Sequence, residues 1–395
     1  MPVSAPLDPI AVQRMRTRIE EEVTEHRIPG ASLLIARGGD VVFEESFGLL
    51  DPEQTRTMPS DALFRIYSMT KPIVSVAIMQ LVERGRLLLS DPIGKYLPSL
   101  ANLQVASESL DTNGVLQTVL QPCRRAITIQ DLLRHTAGLT YGIFGTPSAV
   151  KVAYQASGIE RSTVSNAELI AGLGRLPLAY QPGTVWEYSR ATDVLGGLLE
   201  TLFGATLDEV LQREIFTPLQ MADTGFWVEP GQQHRLAQPF PRDPMTDKPV
   251  RLIDVTRRPT FLSGGGGLVS TTRDYLRFAS MLRNGGQHGG VRLLSRKSIA
   301  LMTADHLAEL PKGRHGPAYL PGPGYGFGLG LAVRTHRGGP ASPGSIGDFH
   351  WSGLAGTLFW IDPNEDLIAI WMVQAPEQRD RLHELIRNLV QACLA

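Results

Sequence analysis

Apolar residues three and four apart open the chain. Val12, Met15, Ile19 and Val23 mark one face of an amphipathic helix over Pro9–His26, which Pro29-Gly30 ends. The period then shortens to that of strands. Ala31–Ala36 and Val41–Phe47 read as two strands joined by the turn Arg37-Gly38-Gly39-Asp40. A third short run, Leu63–Tyr67, leads into a long helix carrying Ile73, Val76, Ala77, Met79, Leu81 and Val82 and ending near Gly85. From Asp91 to Pro259 the pattern is mostly helical pieces and loops, among them Ile129–His135, Ala167–Leu173, Ala191–Phe203 and Leu207–Ile215. Strand character returns in Gly326–Arg334, Gly356–Ile361 and Leu367–Val373, and a last helix covers Gln378–Cys393. The Pro/Gly-rich stretch Pro311–Gly326 reads as a long surface loop.

Strands at both ends with helices between them predict one sheet built from both ends of the chain, with a mostly helical domain inserted. Residues 1–90 plus 260–395 would form the sheet domain and 91–259 the helical one. The length of 395 residues agrees with two or three units. Hydrophobic residues make up 43%, enough for a sizeable core. Lys and Arg number 38 against 39 Asp and Glu, so no basic face is implied and nucleic acid is not an expected partner. Only Cys123 and Cys393 are present, which excludes a disulfide scaffold and predicts two free thiols. No basic segment followed by an apolar one opens the chain, so no secretory signal is read. The best apolar stretches, Ile73–Val82 and Leu367–Val373, are far below the ~20 residues that cross a bilayer. A cytoplasmic, non-membrane protein is therefore expected.

The strongest chemical signal is Ser68-Met69-Thr70-Lys71. Serine and lysine three apart at a helix start share a face, and Pro72 is tolerated in the first turn. A serine at a helix N-terminus faces N–H groups that favour developing negative charge, and the lysine can serve as its base. The spacing alone is not decisive. At residue frequencies of roughly 5–7% such a pair arises about once by chance in this length. Ser148-Ala149-Val150-Lys151 is a second instance, but it follows the loop Gly142–Pro147 and no strand.

Two further segments change the picture. Tyr188-Ser189-Arg190 lies between the turn Pro182-Gly183-Thr184 and the helix Ala191–Phe203, and Phe349-His350-Trp351-Ser352-Gly353-Leu354-Ala355-Gly356 lies between late strands. With Ser68–Lys71 they resemble the three motifs of the serine β-lactamase and penicillin-binding-protein superfamily, and most of all its class C-like branch with the family VIII carboxylesterases. Leu63-Phe64-Arg65, Asp131–Leu139, Gly264–Thr271 and Gly324–Gly330 resemble further landmarks of that family, so the likeness runs along nearly the whole chain.

The resemblance implies an α+β fold, an α/β sandwich. Its mainly antiparallel sheet is flanked by helices, and the active site lies between the sheet and helical domains. It makes Ser68 the nucleophile, Lys71 its partner and Tyr188 the third catalytic group. The N–H groups of Ser68 and Leu354 would form the oxyanion hole, and Trp351, Ser352 and Gly353 would contact substrate. Arg190 stands where β-lactamases usually have Asn, and Trp351 stands where they have a cation that meets a substrate carboxylate. Both departures favour neutral, short-chain esters, hydrolysed through an acyl-enzyme. A β-lactamase, a D-amino-acid peptidase and an acyltransferase on the same fold are the alternatives, and a non-turnover sensor is a more remote one. Unperturbed lysine and tyrosine pKa values of ~10.4 and ~10 make neither a strong base at neutral pH, so the two should titrate as a unit.

Other chemistry finds little support. Nine histidines include no His-Glu-x-x-His or His-x-His cluster, so a metal site is not expected, and His135 and His350 read as structural or pocket-lining. Gly344-Ser345-Ile346-Gly347 lacks the spacing of a nucleophile elbow, and Gly264–Gly267 is not followed by the lysine of a phosphate loop. No cofactor is implied. The partner is a small-molecule ester. Pocket shape depends on the loops Thr140–Ser157 and Leu310–Gly326.

Overall fold

A computed structural model of the chain describes residues 6–110, 116–310, 315–316 and 319–394. The opening helix, α1 (Pro9–Thr24), is capped by Asp8, whose carboxylate accepts from Ala11 N at 2.7 Å. Its buried face carries Met15 and Ile19. The chain then enters strands β1 (Gly30–Arg37) and β2 (Asp40–Asp51), followed by the short β3 (Arg56–Thr57). After a long interval come β4 (Tyr325–Phe327), β5 (Ala332–Arg334), β6 (Phe349–Ser352), β7 (Leu358–Asp362) and β8 (Leu367–Val373). These eight strands form one sheet in the order β4-β5-β6-β7-β8-β1-β2-β3. Every pairing in it is antiparallel. Ala31 on β1 lies opposite Phe47 on one side and Val373 on the other. The first strand thus sits between the second and the last, as a sheet built from both chain ends requires.

Helices cover both faces of this sheet. The remaining ones that position the site are α2 (Thr70–Glu83), α3 (Ala149–Ser157), α4 (Ala191–Phe203), α5 (Thr272–Arg283) and α6 (Arg379–Gln391). Leu33 and Ile35 join a core with α1 and α6, while Leu34 and Ala36 join a larger core with α2, α4 and α5. Because both faces are covered, all eight residues of β1 are buried, and apart from Ser32 and the terminal Arg37 the strand reads as an apolar run rather than an alternation. Cys123 and Cys393 are both free, the latter buried against Met15. Among the described residues no helix is long and apolar enough to cross a membrane.

Several expectations are corrected. Gly326–Arg334 is two strands, not one. Gly330 turns between them at φ +91°, and a Cβ there would collide with the Ser75 side chain. Only Phe64–Arg65 of the run Leu63–Tyr67 is strand, paired with Val269–Ser270. Leu207–Ile215 begins as helix to Leu211 and continues as a wider π-turn, Gln212–Phe216. Segment 91–259 includes a hairpin, Gln104–Leu110 with Leu116–Pro122, that periodicity did not predict. Of the loop Pro311–Gly326, residues 311–314 and 317–318 lie outside the described residues, as do the first five residues; Tyr325 and Gly326 belong to β4.

Candidate active site

Ser68 sits one step earlier than expected. It occupies a single 3₁₀ turn, Tyr67–Met69, and α2 starts two residues later, so Lys71 is the second residue of the helix. The turn is forced: Tyr67 holds φ +43°, a left-handed backbone that costs a non-glycine residue about 1–3 kcal/mol. Its surroundings fix it. The Tyr67 hydroxyl accepts from Ile253 N at 2.9 Å, Ile66 N donates to Leu268 O at 3.0 Å, and the buried Arg65 donates to Ile253 O and Ala237 O. The strained corner aims Ser68 into a cleft of about 730 Å³.

Two side chains meet at the Ser68 hydroxyl. Tyr188 OH lies 2.6 Å from Ser68 Oγ, and Lys71 Nζ donates to the same oxygen at 3.2 Å. Lys71 Nζ has two more acceptors, Gly265 O at 2.6 Å and Tyr141 OH at 3.2 Å. Three acceptors are the number an ammonium can serve. The same nitrogen stands 4.5 Å from the centre of the Tyr188 ring. Lys71 and Tyr188 are both almost fully buried, so their mutual field acts with little screening by water.

Sequence reasoning missed Tyr141. It lies 70 residues from Lys71, at the start of the loop Thr140–Ser157. Burial, followed by the nearby Asp193 carboxylate and Tyr188, pushes its phenol well above the ordinary value of 10. Tyr141 therefore stays neutral and serves as a hydrogen-bond partner, leaving Tyr188 as the phenol in contact with Ser68. Asp193 was also missed. Its carboxylate accepts from Ser263 Oγ at 2.6 Å and Gly265 N at 2.8 Å, and so fixes the carbonyl of Gly265 that holds Lys71. Arg190 pairs with Asp193 at 3.3 Å and Glu160 at 3.2 Å and lies over the Tyr141 ring at 4.7 Å.

The third motif is a strand, β6, and its period of two separates residues expected to act together. Trp351 turns toward Tyr188 and Phe327, with ring centres 5.7 and 5.3 Å away. It is buried and backs the Tyr188 phenol instead of lining the described cleft. Ser352 turns with His350 to the opposite face, where both border a separate pocket beside His383. Gly353 is pressed under the turn that carries Ser68: a Cβ would collide with the Ile66 carbonyl and the Thr357 hydroxyl. Leu354, at the head of the β6–β7 turn, does line the cleft with Ser68.

His135 is structural. It packs against Trp186, Tyr188 and Phe327, and its Nδ1 is 3.2 Å from Ser189 Oγ. Burial, with the charge of Lys71, holds its pKa well below 6.5, so the ring is neutral. Ser148 is a helix cap, accepting from Lys151 N at 3.3 Å. Among the described residues no group of three or more His, Cys, Asp or Glu is placed to hold a metal ion.

The beta-lactamase family model matches residues 15–392. The chain belongs to the beta-lactamase family. It is 38% identical over 354 residues to Protein Rv1367c of Mycobacterium tuberculosis, covering 88% of this chain and 86% of that one. It is 29% identical over 389 residues, 91% of each chain, to esterase EstB of Burkholderia gladioli. The solved structure of EstCE1, described as a hydrolase with promiscuous acyltransferase activity, superposes with a TM-score of 0.78 at 27% identity, covering 96% of this chain and 98% of that one. This member of the beta-lactamase family is accordingly a serine hydrolase on the serine β-lactamase and penicillin-binding-protein fold.

Proposed function

We propose that the protein is a carboxylesterase that takes a small-molecule ester with a neutral, short-chain acyl group and works through an acyl-enzyme on Ser68. The observation that carries this reading is the convergence of Tyr188 OH and Lys71 Nζ on one serine oxygen. Ser68 Oγ attacks the ester carbonyl while its proton passes to the Tyr188 oxygen, which takes it as the phenolate that the Lys71 ammonium stabilises and becomes the neutral phenol. The N–H groups of Ser68 and Leu354 hold the oxyanion, a contribution of roughly 3–4 kcal/mol per donor. The proton returns to the departing alkoxide. Water then repeats the cycle on the acyl-enzyme and releases the acid. The cleft would lie between the sheet-bearing part, residues 1–90 with 260–395, and the mostly helical part, 91–259.

Charge supports esters over β-lactams. A β-lactam or peptide substrate presents a carboxylate beside the scissile bond. Trp351 offers no cation, and each of the three arginines lining the cleft already faces a carboxylate: Arg190 those of Glu160 and Asp193, Arg257 that of Asp254 and Arg258 that of Asp208. A charge-assisted hydrogen bond is worth ~1.5–3 kcal/mol, so its loss alone disfavours penicillin by roughly 10- to 100-fold. We expect kcat/KM for p-nitrophenyl acetate or butyrate to exceed that for benzylpenicillin by more than this on one preparation. Penicillin as the better substrate overturns the reading in favour of a β-lactamase. The relative EstCE1 gives an acyltransferase as the second reading. Added short alcohols would then divert the acyl group to new esters, seen as transfer product beside the acid.

The oxyanion assignment has its own test in Gly353→Ala. The new methyl must push the β6–β7 turn away from Ile66, and Leu354 with it. We expect a stability loss of about 1–3 kcal/mol from overpacking and a fall in kcat on the order of 10²-fold. Thermal melts and steady-state kinetics measure both. Unchanged kcat would remove Leu354 from the oxyanion hole.

A further inference from the structure

The second Ser-x-x-Lys segment has a use after all, through its lysine. Lys151, on α3, is buried, as is Glu187, the residue before Tyr188. Lys151 Nζ lies 3.1 Å from Glu187 Oε1 and donates to Phe144 O at 2.5 Å. Glu187 Oε1 also accepts from Thr140 Oγ1 at 3.0 Å. The two charges thus grip a five-residue segment at both ends, Thr140 through the carboxylate and Phe144 through the ammonium. Between and at those ends stand Tyr141, Ile143 and Phe144, which wall the cleft around Ser68. The grip is also tied to the catalytic phenol, because Glu187 N donates to His135 O at 3.0 Å and His135 packs on Tyr188.

A buried ion pair is a poor source of net stability, since desolvation of both charges offsets their attraction. What it does supply is a fixed distance and direction. We propose that Lys151 and Glu187 form a positioning pair that pins the wall Thr140–Phe144 to the Tyr188 segment and so sets the size of the group the cleft admits. Neither residue touches the reacting atoms. Their effect passes through Phe144 and Ile143, which meet substrate, and through Tyr141, which meets Lys71. The proposal rests on the esterase reading for its choice of substrates but not for its geometry.

Removing one charge would strand the other in the interior, so the informative variant is Lys151→Met with Glu187→Gln. It leaves no buried charge, and the new amide can still accept from Thr140. Lys151→Arg keeps the pair and serves as the conservative control. Two readouts are compared in protein shown to be folded by its melting curve. One is the kcat/KM ratio across p-nitrophenyl esters of rising acyl length and across acetate esters of rising alcohol size. The other is the rate at which a small and a bulky fluorophosphonate label Ser68, which needs no turnover. We expect at least one ratio to shift about tenfold in the double variant, through KM more than kcat, and Lys151→Arg to retain the native ratios. A folded double variant with native ratios in both assays overturns the proposal, even if its Tm falls. If the native protein hydrolyses no ester while the labelling ratio still shifts, the positioning pair stands and the esterase reading fails.

Discussion

Ser68→Ala lowers kcat by on the order of 10⁵–10⁶-fold, the loss that follows removal of a nucleophile from a serine hydrolase, and leaves the fold intact. The second half of this expectation comes from the local structure. The Ser68 side chain caps no helix, and the turn that carries it is held by Tyr67, Ile66 and Arg65. Deleting one hydroxyl at this half-buried position costs about 1 kcal/mol or less. A fluorophosphonate followed by peptide mapping should mark the peptide containing Ser68. Ser148 is tied up as a cap on α3 and should stay unlabelled. Labelling at Ser148, or kcat within tenfold of native in Ser68→Ala, removes Ser68 from the mechanism.

Lys71→Ala and Tyr188→Phe give the second large effect, and its form matters more than its size. Each should lower kcat by ~10²–10⁴-fold, the range for a positioned acid–base group. The double variant should be scarcely worse than the more damaged single one. Both groups act on one oxygen, and the lysine charge acts through the phenol it faces at 4.5 Å, so losing either disables the other. Two losses that multiply in the double variant would mean two independent bases. Lys71→Ala also leaves the Gly265 carbonyl without its 2.6 Å partner, so a melting curve must accompany the kinetics. Tyr188→Phe keeps the ring against Trp351 and His135 and carries the cleaner reading.

Much of the frame was legible because its signals are local. The helix Ala191–Phe203, closed by Gly204, and the strand Leu367–Val373 fall where the pattern of apolar residues puts them. What escaped was set by distant contacts. In Phe349–Ser352 the strand signal is short, a single apolar–polar alternation of four residues. Once it pairs with β5 and β7, that alternation sends Trp351 and Ser352 to opposite faces, which a contiguous motif cannot reveal. At the site, Ser68, Lys71 and Tyr188 were found by spacing and resemblance. Tyr141 and Asp193 were not, because each acts on Lys71 only after long loops close. The one local hint was the tyrosine that follows Thr136-Ala137-Gly138-Leu139-Thr140, in a loop already suspected of shaping the pocket.

The place of β1 between β2 and β8 has a consequence for synthesis. Its first partner, β2, leaves the ribosome almost at once, but Arg37 waits for Leu367 and Ala31 for Val373. More than three hundred residues separate the two. At about 5–20 residues per second, one edge of a fully buried strand stays unpaired for a large part of a minute. Long-range antiparallel pairing of this kind is also slow to form once it can. The nascent chain therefore passes through a sticky interval that a chaperone could cover. Since the β6–β7 turn beside Ser68 is made just before β8, that serine acquires its surroundings only in the last moments of translation.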